Sequence, residues 1–280
     1  MASSSSIRMP AIRTRSCLAL LVLGLVLGGP VRADEVTLRV YAAGSLNAAM
    51  TAMAAAFTAA GGPPVTTVFG PSGLLRERIE KGEPAAVFAS ADVDHPQTLA
   101  REGRSGPAIV FARNRLCGLA APGVEVTSES LLDRMLDPMV KLGTSTPKAD
   151  PSGDYAWQLF EKADKVRPGA FAALDAKALK LVGGANAPAV PPGRTAYGML
   201  IAERRADIFL TYCTNAAQAT REVPGAHVVT IPEALAVGAS YALTVIDPPL
   251  PGAERFALFV LSIRGQAILA EHGFTPVASP

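Results

Sequence analysis

In three places this chain passes from an apolar, β-prone stretch through a serine-containing turn into a helix-prone stretch. The serines of these turns, at 41–46, 68–74 and 150–155, are Ser45, Ser72 and Ser152. A serine that begins a helix accepts a hydrogen bond from a free backbone N–H group. The same helix end carries unpaired N–H groups and a partial positive charge, which attract anions. Three such turns in one chain predict a pocket for a small anion.

The turns belong to a regular alternation of strands and helices. Strands are predicted at 37–43, 65–69 and 85–90, and helices at 46–60, 74–81 and 96–102. This alternation is typical of α/β proteins, in which a parallel sheet is covered on both faces. Ligands of such sheets bind beyond the carboxyl ends of the strands, which is where the serine turns lie.

A second α/β series follows from residue 109. Its predicted helices are 128–136, 155–165, 171–181, 196–203 and 254–271, and its strands are 109–111, 116–120, 140–143, 206–212, 228–231 and 241–246. Two such series predict two lobes with a ligand cleft between them. The chain is expected to cross between the lobes near 109–114 and to return near 240–246.

The N-terminus is typical of a secretory signal peptide. Arg8, Arg13 and Arg15 precede an apolar run at 17–27, and Val-Arg-Ala at 31–33 offers small residues for cleavage. The apolar run is too short for a comfortable membrane span. We therefore predict a cleaved leader at 1–33 and export to the periplasm.

Cleavage changes the charge of the chain. The full sequence has 26 Lys and Arg against 24 Asp and Glu; the leader's four arginines leave 22 bases against 24 acids, a net charge of −2. A nearly neutral chain has no electrostatic footprint for nucleic acid or for an anionic membrane. Any anion must therefore be recognised locally.

Cys117 and Cys213 are the cysteines that follow the leader. In an oxidising compartment they could pair, but the sequence does not give their distance in space. The alternative is that both are small buried apolar residues.

Catalytic patterns are weak. His95, His227 and His272 lie in separate settings without metal-ligand spacing, and no phosphate-binding G-x-x-x-x-G-K-[ST] motif occurs. In the segment at 70–73 the second glycine follows the serine directly, whereas a nucleophile elbow has one residue between them. We predict no enzyme and no cofactor; the alternative is a periplasmic hydrolase that uses Ser72.

Five motifs in order resemble the periplasmic molybdate-binding proteins that supply ATP-driven importers. They are Tyr-Ala-Ala-Gly-Ser-Leu at 41–46, Phe-Gly-Pro-Ser-Gly-Leu at 69–74, Val-Phe-Ala-Ser-Ala-Asp at 87–92, Phe-Ala-Arg-Asn-Arg-Leu at 111–116 and the segment 207–215. The resemblance covers nearly all of the chain after the leader. It implies a two-lobed α/β periplasmic binding protein of type II, with a cleft between lobes joined by two crossover strands. We place lobe I at 34–109 and 243–280, and lobe II at 110–242.

The resemblance also implies a site. Ser45 and Ser72 would hydrogen-bond a molybdate or tungstate ion through hydroxyl and N–H groups, Ser152 through its backbone N–H, and Tyr212 through its hydroxyl. No protein atom would bind the metal of the oxyanion directly. The expected partner is the membrane permease of an ABC transporter, and the receptor is expected to be a monomer. Molybdate, tungstate and sulphate present only acceptors, so an acid in the pocket would repel them.

Some residues differ from the family's pattern. Arg194 stands where the family contributes a backbone N–H from a valine-type residue, Asn215 replaces an aspartate and Cys213 a small residue. The segment 183–193 is unlike the usual loop. A cation beside the pocket could tighten binding or select another anion, so Arg194 is a candidate ligand residue. The alternative function is a receptor for a different small anion.

Overall fold

The structure is a computed structural model that describes Met1, Ala2 and residues 36–277. The strands are β1 Leu38–Ala43, β2 Val65–Gly70, β3 Val87–Ser90, β4 Ile109–Ala120, β5 Leu142–Ser145, β6 Leu179–Val182, β7 Ile208–Tyr212, β8 His227–Thr230, β9 Gly238–Val245 and β10 Thr275–Pro276. The helices are α1 Asn47–Ala59, α2 Ser72–Glu80, α3 Asp94–Arg101, α4 Leu131–Leu136, α5 Pro151–Val166, α6 Ala170–Lys177, α7 Ala196–Ala202, α8 Cys213–Glu222, α9 Ala253–Leu261 and α10 Ile263–Glu271. The predicted leader falls almost entirely outside the described residues.

The strands form a curled sheet in the order β2-β1-β3-β9-β4-β7-β5-β6, with β8 and β10 also paired to β4. Strand β4 belongs to both halves of this sheet. Its residues 109–115 pair with β9, and its residues 116–120 pair with β7. We call β1–β3, β9 and β10 with their helices the first lobe, and β5–β8 with theirs the second. The predicted two-lobed α/β fold is confirmed.

The sheet is mixed rather than parallel, which corrects one expectation. Strand β1 runs parallel to β2 and β3, and β5 runs parallel to β6 and β7. At the centre, however, β4 is antiparallel to β7 and β9, and β3 is antiparallel to β9. Parallel neighbours need a crossover connection. Strands β4 and β9 are antiparallel because the chain leaves the first lobe along β4 and returns to it along β9, directly beside β4.

The sequence pattern misplaced two elements. Residues 171–181 were expected to form one helix, but α6 ends at Lys177 and residues 179–182 form β6. Strand β6 pairs in parallel with β5, a contact distant in sequence that local propensity does not register. The predicted helix 254–271 is two helices, because Ser262 is extended and its Oγ accepts the Gly265 N–H at 3.2 Å.

Helix α8 was not predicted, although it begins directly after β7. It therefore forms a further strand-to-helix turn at the predicted ligand face, with Tyr212 as its N-cap. This helix was overlooked because its first turn has no serine: it begins with Tyr212 and Cys213.

Cys117 and Cys213 form a disulfide, with their Cα atoms 4.9 Å apart. This resolves the alternative that the sequence left open. The bond ties β4 to the first residue of α8, next to Tyr212. It closes a loop across 96 positions of sequence.

Candidate functional site

A cavity of about 650 Å³ lies where the strand-to-helix turns of both lobes face each other. Its wall includes Ser45, Arg194 and Tyr212, which the sequence predicted as ligand residues. Ser72 and Ser152 do not line it, although both are buried. Other parts of the wall are Phe69–Pro71, Asp150, Val182–Gly183, Tyr197, Asn215, Gln218 and Arg221.

None of the three serines caps its helix. Ser45 lies in the short 3-10 turn before α1, Ser72 is the first residue of α2, and Ser152 is the second residue of α5. The cap of α5 is the carboxylate of Asp150, which accepts the Ser152 N–H at 3.1 Å. The hydroxyl groups are therefore not consumed by capping, and each has a different environment.

Ser45 is half-buried and shares a 2.9 Å hydrogen bond with the hydroxyl of Tyr241. The hydroxyl oxygen of Ser72 accepts the N–H of Ala91 at 3.1 Å, so its own proton remains available for donation. Ser72 is followed by Gly73, whose N–H donates to the carbonyl of Ala149 at 3.0 Å and so links the first lobe to the second. The turn of Ser72 is thus part of the contact between the lobes.

Ala91 is a residue that sequence reasoning missed. Its N–H reaches Ser72, and its carbonyl accepts long hydrogen bonds from the hydroxyls of Tyr155 and Tyr212, at 3.4 and 3.5 Å. Ala91 thereby joins the two lobes at the edge of the cavity. Its place in the motif at 87–92 is the only sequence signal that could have indicated this.

Three tyrosines form a cluster beside the cavity. The ring centroids of Tyr212 and Tyr241 are 5.4 Å apart, and those of Tyr155 and Tyr212 are 6.2 Å apart. Burial raises the pKa of Tyr155, Tyr212 and Tyr241 well above the ordinary value, so all three stay neutral. A neutral phenol can donate a hydrogen bond to an anion, as predicted for Tyr212.

Asp150 is an acid in the cavity wall, which the sequence prediction did not expect there. Burial is the main reason why the pKa of its carboxyl is raised to about 6; the carboxylates of Asp154 and Asp92 contribute to this increase, and the hydrogen bonds from Ser152 and Ser145 oppose it. The backbone N–H of Ser152, predicted to bind the ligand, donates to Asp150. Ser152 itself is fully buried, and its Oγ has no hydrogen-bond partner in the described part of the chain.

Arg194 lies in the cavity wall, but its charge is paired. Its Nε donates to Oε1 of Glu222, and Oε2 of Glu222 accepts the Thr195 N–H at 2.8 Å and the Thr195 hydroxyl at 2.7 Å. Thr195 in turn caps α7 by accepting the Gly198 N–H. This network holds the loop that ends at Arg194 against α8. A second guanidinium in the wall, that of Arg221, was not singled out from the sequence.

Asn215 also lines the cavity and is buried. Its Nδ2 donates to the hydroxyl of Thr211 at 3.2 Å, so the amide is held by β7. Where the family has a carboxylate, this chain presents a neutral amide to the cavity.

Within residues 36–277, no group of three or more His, Cys, Asp or Glu is arranged to hold a metal ion. No described helix is long and apolar enough to cross a membrane.

Two lobes around a cavity of strand-to-helix turns define a solute receptor of the periplasmic type. The profile of the bacterial extracellular solute-binding protein family matches residues 38–275, so the chain belongs to that family. Members of the family bind small solutes and pass them to the permease of an importer.

Comparison with individual proteins shows which members of the family this chain is similar to. An uncharacterized protein of Pasteurella multocida is 36% identical over 241 residues, which is 85% of this chain and 98% of that protein. The molybdate-binding protein of Rhodobacter capsulatus is 31% identical over 144 residues, 51% of this chain and 55% of that protein. The periplasmic molybdate-binding protein of Azotobacter vinelandii superposes with a TM-score of 0.70 at 21% identity, over 86% of this chain and all of that one. The resemblance to this group is confirmed.

Proposed function

We propose that this chain is the periplasmic receptor of an ABC importer and that its ligand is a small tetrahedral oxyanion, with molybdate and tungstate as the first candidates. The observation that carries the proposal is the cavity between the lobes, whose wall holds Ser45, the neutral phenol of Tyr212 and the turns that lead into α1, α7 and α8. Neutral donors at helix N-termini suit an anion that offers only acceptors.

Capture follows from the position of these donors. Ser45 belongs to the first lobe and Tyr212 to the second, so an anion between them gains all of its hydrogen bonds only when the lobes are together. Charge-assisted hydrogen bonds contribute roughly 1.5–3 kcal/mol each, so a few of them favour the closed form once an anion is bound. Closure of this kind marks the loaded receptor for a permease.

Several parts of the proposal rest on the sequence pattern and on the family resemblance alone. They are the cleaved leader at 1–33, a monomeric receptor, lobe boundaries at 109/110 and 242/243, and the ligand roles of Ser45, Ser72, Ser152, Arg194 and Tyr212. We also propose that the chain has no catalytic activity and uses no cofactor. In the described structure the recorded partner of the Ser72 hydroxyl is the Ala91 N–H, which is no general base.

The test is isothermal titration of residues 34–280, stripped of ligand, with molybdate, tungstate, sulphate and phosphate. Sub-micromolar binding of at least one of these anions supports the receptor function, and a preference for molybdate and tungstate supports the ligand. Silence from all four would contradict an oxyanion receptor. Turnover of an ester that is abolished by Ser72→Ala would instead support the hydrolase.

A different small anion is the second candidate, because the cavity has features that a site for a bare dianion does not need. Asp150 presents a carboxylate, and Arg221 a further guanidinium, to the same space. The volume of about 650 Å³ also lies in the range typical of sites for organic ligands, roughly 300–1,000 Å³.

A further inference from the structure

Asp150 holds a carboxylate at the point where an anion would approach α5. It lines the cavity, and its Oδ1 accepts the N–H of Ser152 at 3.1 Å. Its side chain packs against Gly183, where an added Cβ would lie 2.4 Å from the Cβ of Asp150. The carboxylate is therefore held between the start of α5 and the residue that follows β6.

The charges that surround Asp150 do not neutralise it. Asp154 on α5 and Asp92 after β3 are acids, whereas Tyr197 on α7 and Tyr212 on β7 are neutral phenols. Arg194 and Arg221 line the same cavity, but no described cation forms an ion pair with Asp150; Arg194 pairs with Glu222. Asp150 is half-buried, and a carboxylate that is partly withdrawn from water without a cation is costly; a proton or a hydrogen-bond donor relieves that cost.

The donors for a ligand beside Asp150 come from other parts of the cavity wall. Ser45 and Tyr212 line the cavity and carry hydroxyl groups, whereas Ser152 is fully buried and does not line it. A wall that holds both hydroxyl donors and an acid without an ion pair in the described part of the chain matches an oxyanion that both accepts and donates hydrogen bonds.

We propose that Asp150 makes this site selective for tetrahedral oxyanions that carry a proton, the class of hydrogen phosphate, hydrogen arsenate and the phosphonates. The proposal rests on the proposed function, that of an oxyanion receptor, and it places hydrogen phosphate and its analogues ahead of molybdate and tungstate as the ligand. The ligand's O–H donates to the carboxylate of Asp150, while its remaining oxygens accept from hydroxyl and N–H groups. Sulphate and molybdate have no proton to donate, so their oxygens face the carboxylate directly.

Fully deprotonated anions then bind only together with a proton taken from solution. The proton resides on Asp150, which becomes the donor that such ligands lack. Since one proton accompanies each bound anion, affinity for sulphate or molybdate falls by about tenfold for each pH unit above the titration range of Asp150. Affinity for hydrogen phosphate changes little, because this ligand brings its own proton.

The experiment is isothermal titration of residues 34–280 with phosphate, arsenate, methylphosphonate, sulphate and molybdate at pH 6 and pH 8. Buffers of different ionisation enthalpy report how many protons are taken up. At pH 8 we expect phosphate to bind at least about tenfold more tightly than sulphate. Between pH 6 and 8, sulphate and molybdate should weaken by roughly a hundredfold, with uptake of about one proton. Methylphosphonate against phosphate distinguishes an organic from an inorganic ligand.

The matched variants are Asp150→Asn and Asp154→Asn. An asparagine at 150 still accepts the Ser152 N–H, so α5 keeps its cap. It offers the ligand an N–H in place of a carboxylate, so Asp150→Asn should bind sulphate and molybdate independently of pH and lose the preference for phosphate. Asp154 does not line the cavity, and its Oδ1 accepts the Lys148 N–H at 2.9 Å. Asp154→Asn should therefore keep the phosphate preference and the pH dependence of the wild type, displaced slightly to lower pH because the Asp154 carboxylate raises the pKa of Asp150.

Equal affinity for sulphate or molybdate at pH 6 and 8, without proton uptake, would overturn the proposal even if Asp150→Asn failed to fold. If an oxyanion still bound tightly under those conditions, the receptor function would be supported and only the role of Asp150 would be wrong. If none of the five anions bound at either pH, the oxyanion receptor would be contradicted as well, so the two failures are distinguishable.

Discussion

At the scale of single residues, the site depends on side chains that stay neutral. Tyr155, Tyr212 and Tyr241 touch one another beside the cavity, and burial raises the pKa of each. The hydroxyls of Tyr155 and Tyr212 reach the carbonyl of Ala91 and so link the second lobe to the first, whereas the hydroxyl of Tyr241 bonds Ser45 within the first lobe. The hydrogen bonds of Tyr155 and Tyr212 to Ala91 are long, and an anion offers these hydroxyls a stronger acceptor.

The first prediction concerns Tyr212. Tyr212→Phe removes the hydroxyl and keeps the ring, so we expect oxyanion affinity to fall by about ten- to a hundredfold, the equivalent of one charge-assisted hydrogen bond. Isothermal titration measures this. Tyr41→Phe is the control, because the Tyr41 hydroxyl donates to Glu83 at 2.7 Å, outside the cavity wall. Equal losses in both variants would rule out a ligand role for the Tyr212 hydroxyl.

The second prediction concerns Gly73, whose N–H bonds the carbonyl of Ala149 in the second lobe at 3.0 Å. A Cβ at this position would lie 2.4 Å from the carbonyl oxygen of Lys148 and 2.9 Å from that of Ala149. Gly73→Ala therefore forces α2 away from residues 148–149, and we expect at least about tenfold weaker ligand binding, since overpacking of this kind costs roughly 1–3 kcal/mol.

Gly238→Ala is the matched control for this change. Nothing lies within 4 Å of a Cβ at Gly238, so the alanine is accommodated. Titration and thermal unfolding of both variants separate a closure defect from general destabilisation. Unchanged affinity in Gly73→Ala would show that the contact at 148–149 is absent from the ligand-bound form.

At the scale of elements, α5 shows how local capping and the site share one residue. Pro151 occupies the first turn, where its missing N–H is harmless, and Asp150 caps the helix through Ser152. The sequence predicted this helix from residue 155 and assigned its turn to Ser152, whereas the helix begins at Pro151. Asp150 is the cap because it is the residue just before the helix, from which a side chain reaches the N–H two residues further along.

The third prediction is a pH dependence of stability that comes from Asp150. Its pKa is about 6 in the folded protein against 3.8 ordinarily, so the folded state holds the proton more firmly than the unfolded state. This contribution to stability is complete below pH 4 and is lost as the pH rises through 6. Between pH 4 and 7 the free energy of unfolding of the wild type should therefore fall relative to that of Asp150→Asn, by about 2 kcal/mol.

Urea unfolding of the ligand-free wild type and of Asp150→Asn at both pH values gives this difference directly. The other acids are common to the two proteins, so their titration cancels. A difference that does not change with pH would mean that the carboxyl of Asp150 titrates normally.

At the scale of the whole molecule, β4 and the disulfide determine how the lobes are joined. Strand β4 pairs with β9 in one half of its length and with β7 and β8 in the other. Cys117 lies in the second half and is bonded to Cys213, the residue after Tyr212. The bond therefore holds the ligand-facing turn of α8 against the strand that connects the lobes.

The fourth prediction is that reduction destabilises the receptor. Opening a loop of 96 positions should lower the free energy of unfolding by about 2–5 kcal/mol. Urea unfolding with and without dithiothreitol measures this loss. The double variant Cys117→Ser, Cys213→Ser should start at the lower stability and should not respond to the reductant. A wild type that is equally stable in both conditions would contradict a stabilising role for the bond.

Much of this protein follows from local pattern. The β-prone stretches before Ser45 and Ser72 and the helices after them are where the sequence placed them, because helical and strand periodicity and glycine stops act over a few residues. The motifs at 41–46 and 69–74 also indicated the family. Of the predicted ligand residues, Ser45, Arg194 and Tyr212 line one cavity.

Other features depend on contacts between residues distant in sequence, which local pattern does not register. Strand β6 exists because β5 lies beside it, the sheet is mixed because β4 and β9 are neighbours, and Cys117 meets Cys213 through the pairing of β4 with β7. Burial likewise raises the pKa of Asp150, which the local sequence around this residue did not indicate. Local sequence motifs were sufficient to indicate the class of receptor, whereas packing placed the groups that face the cavity.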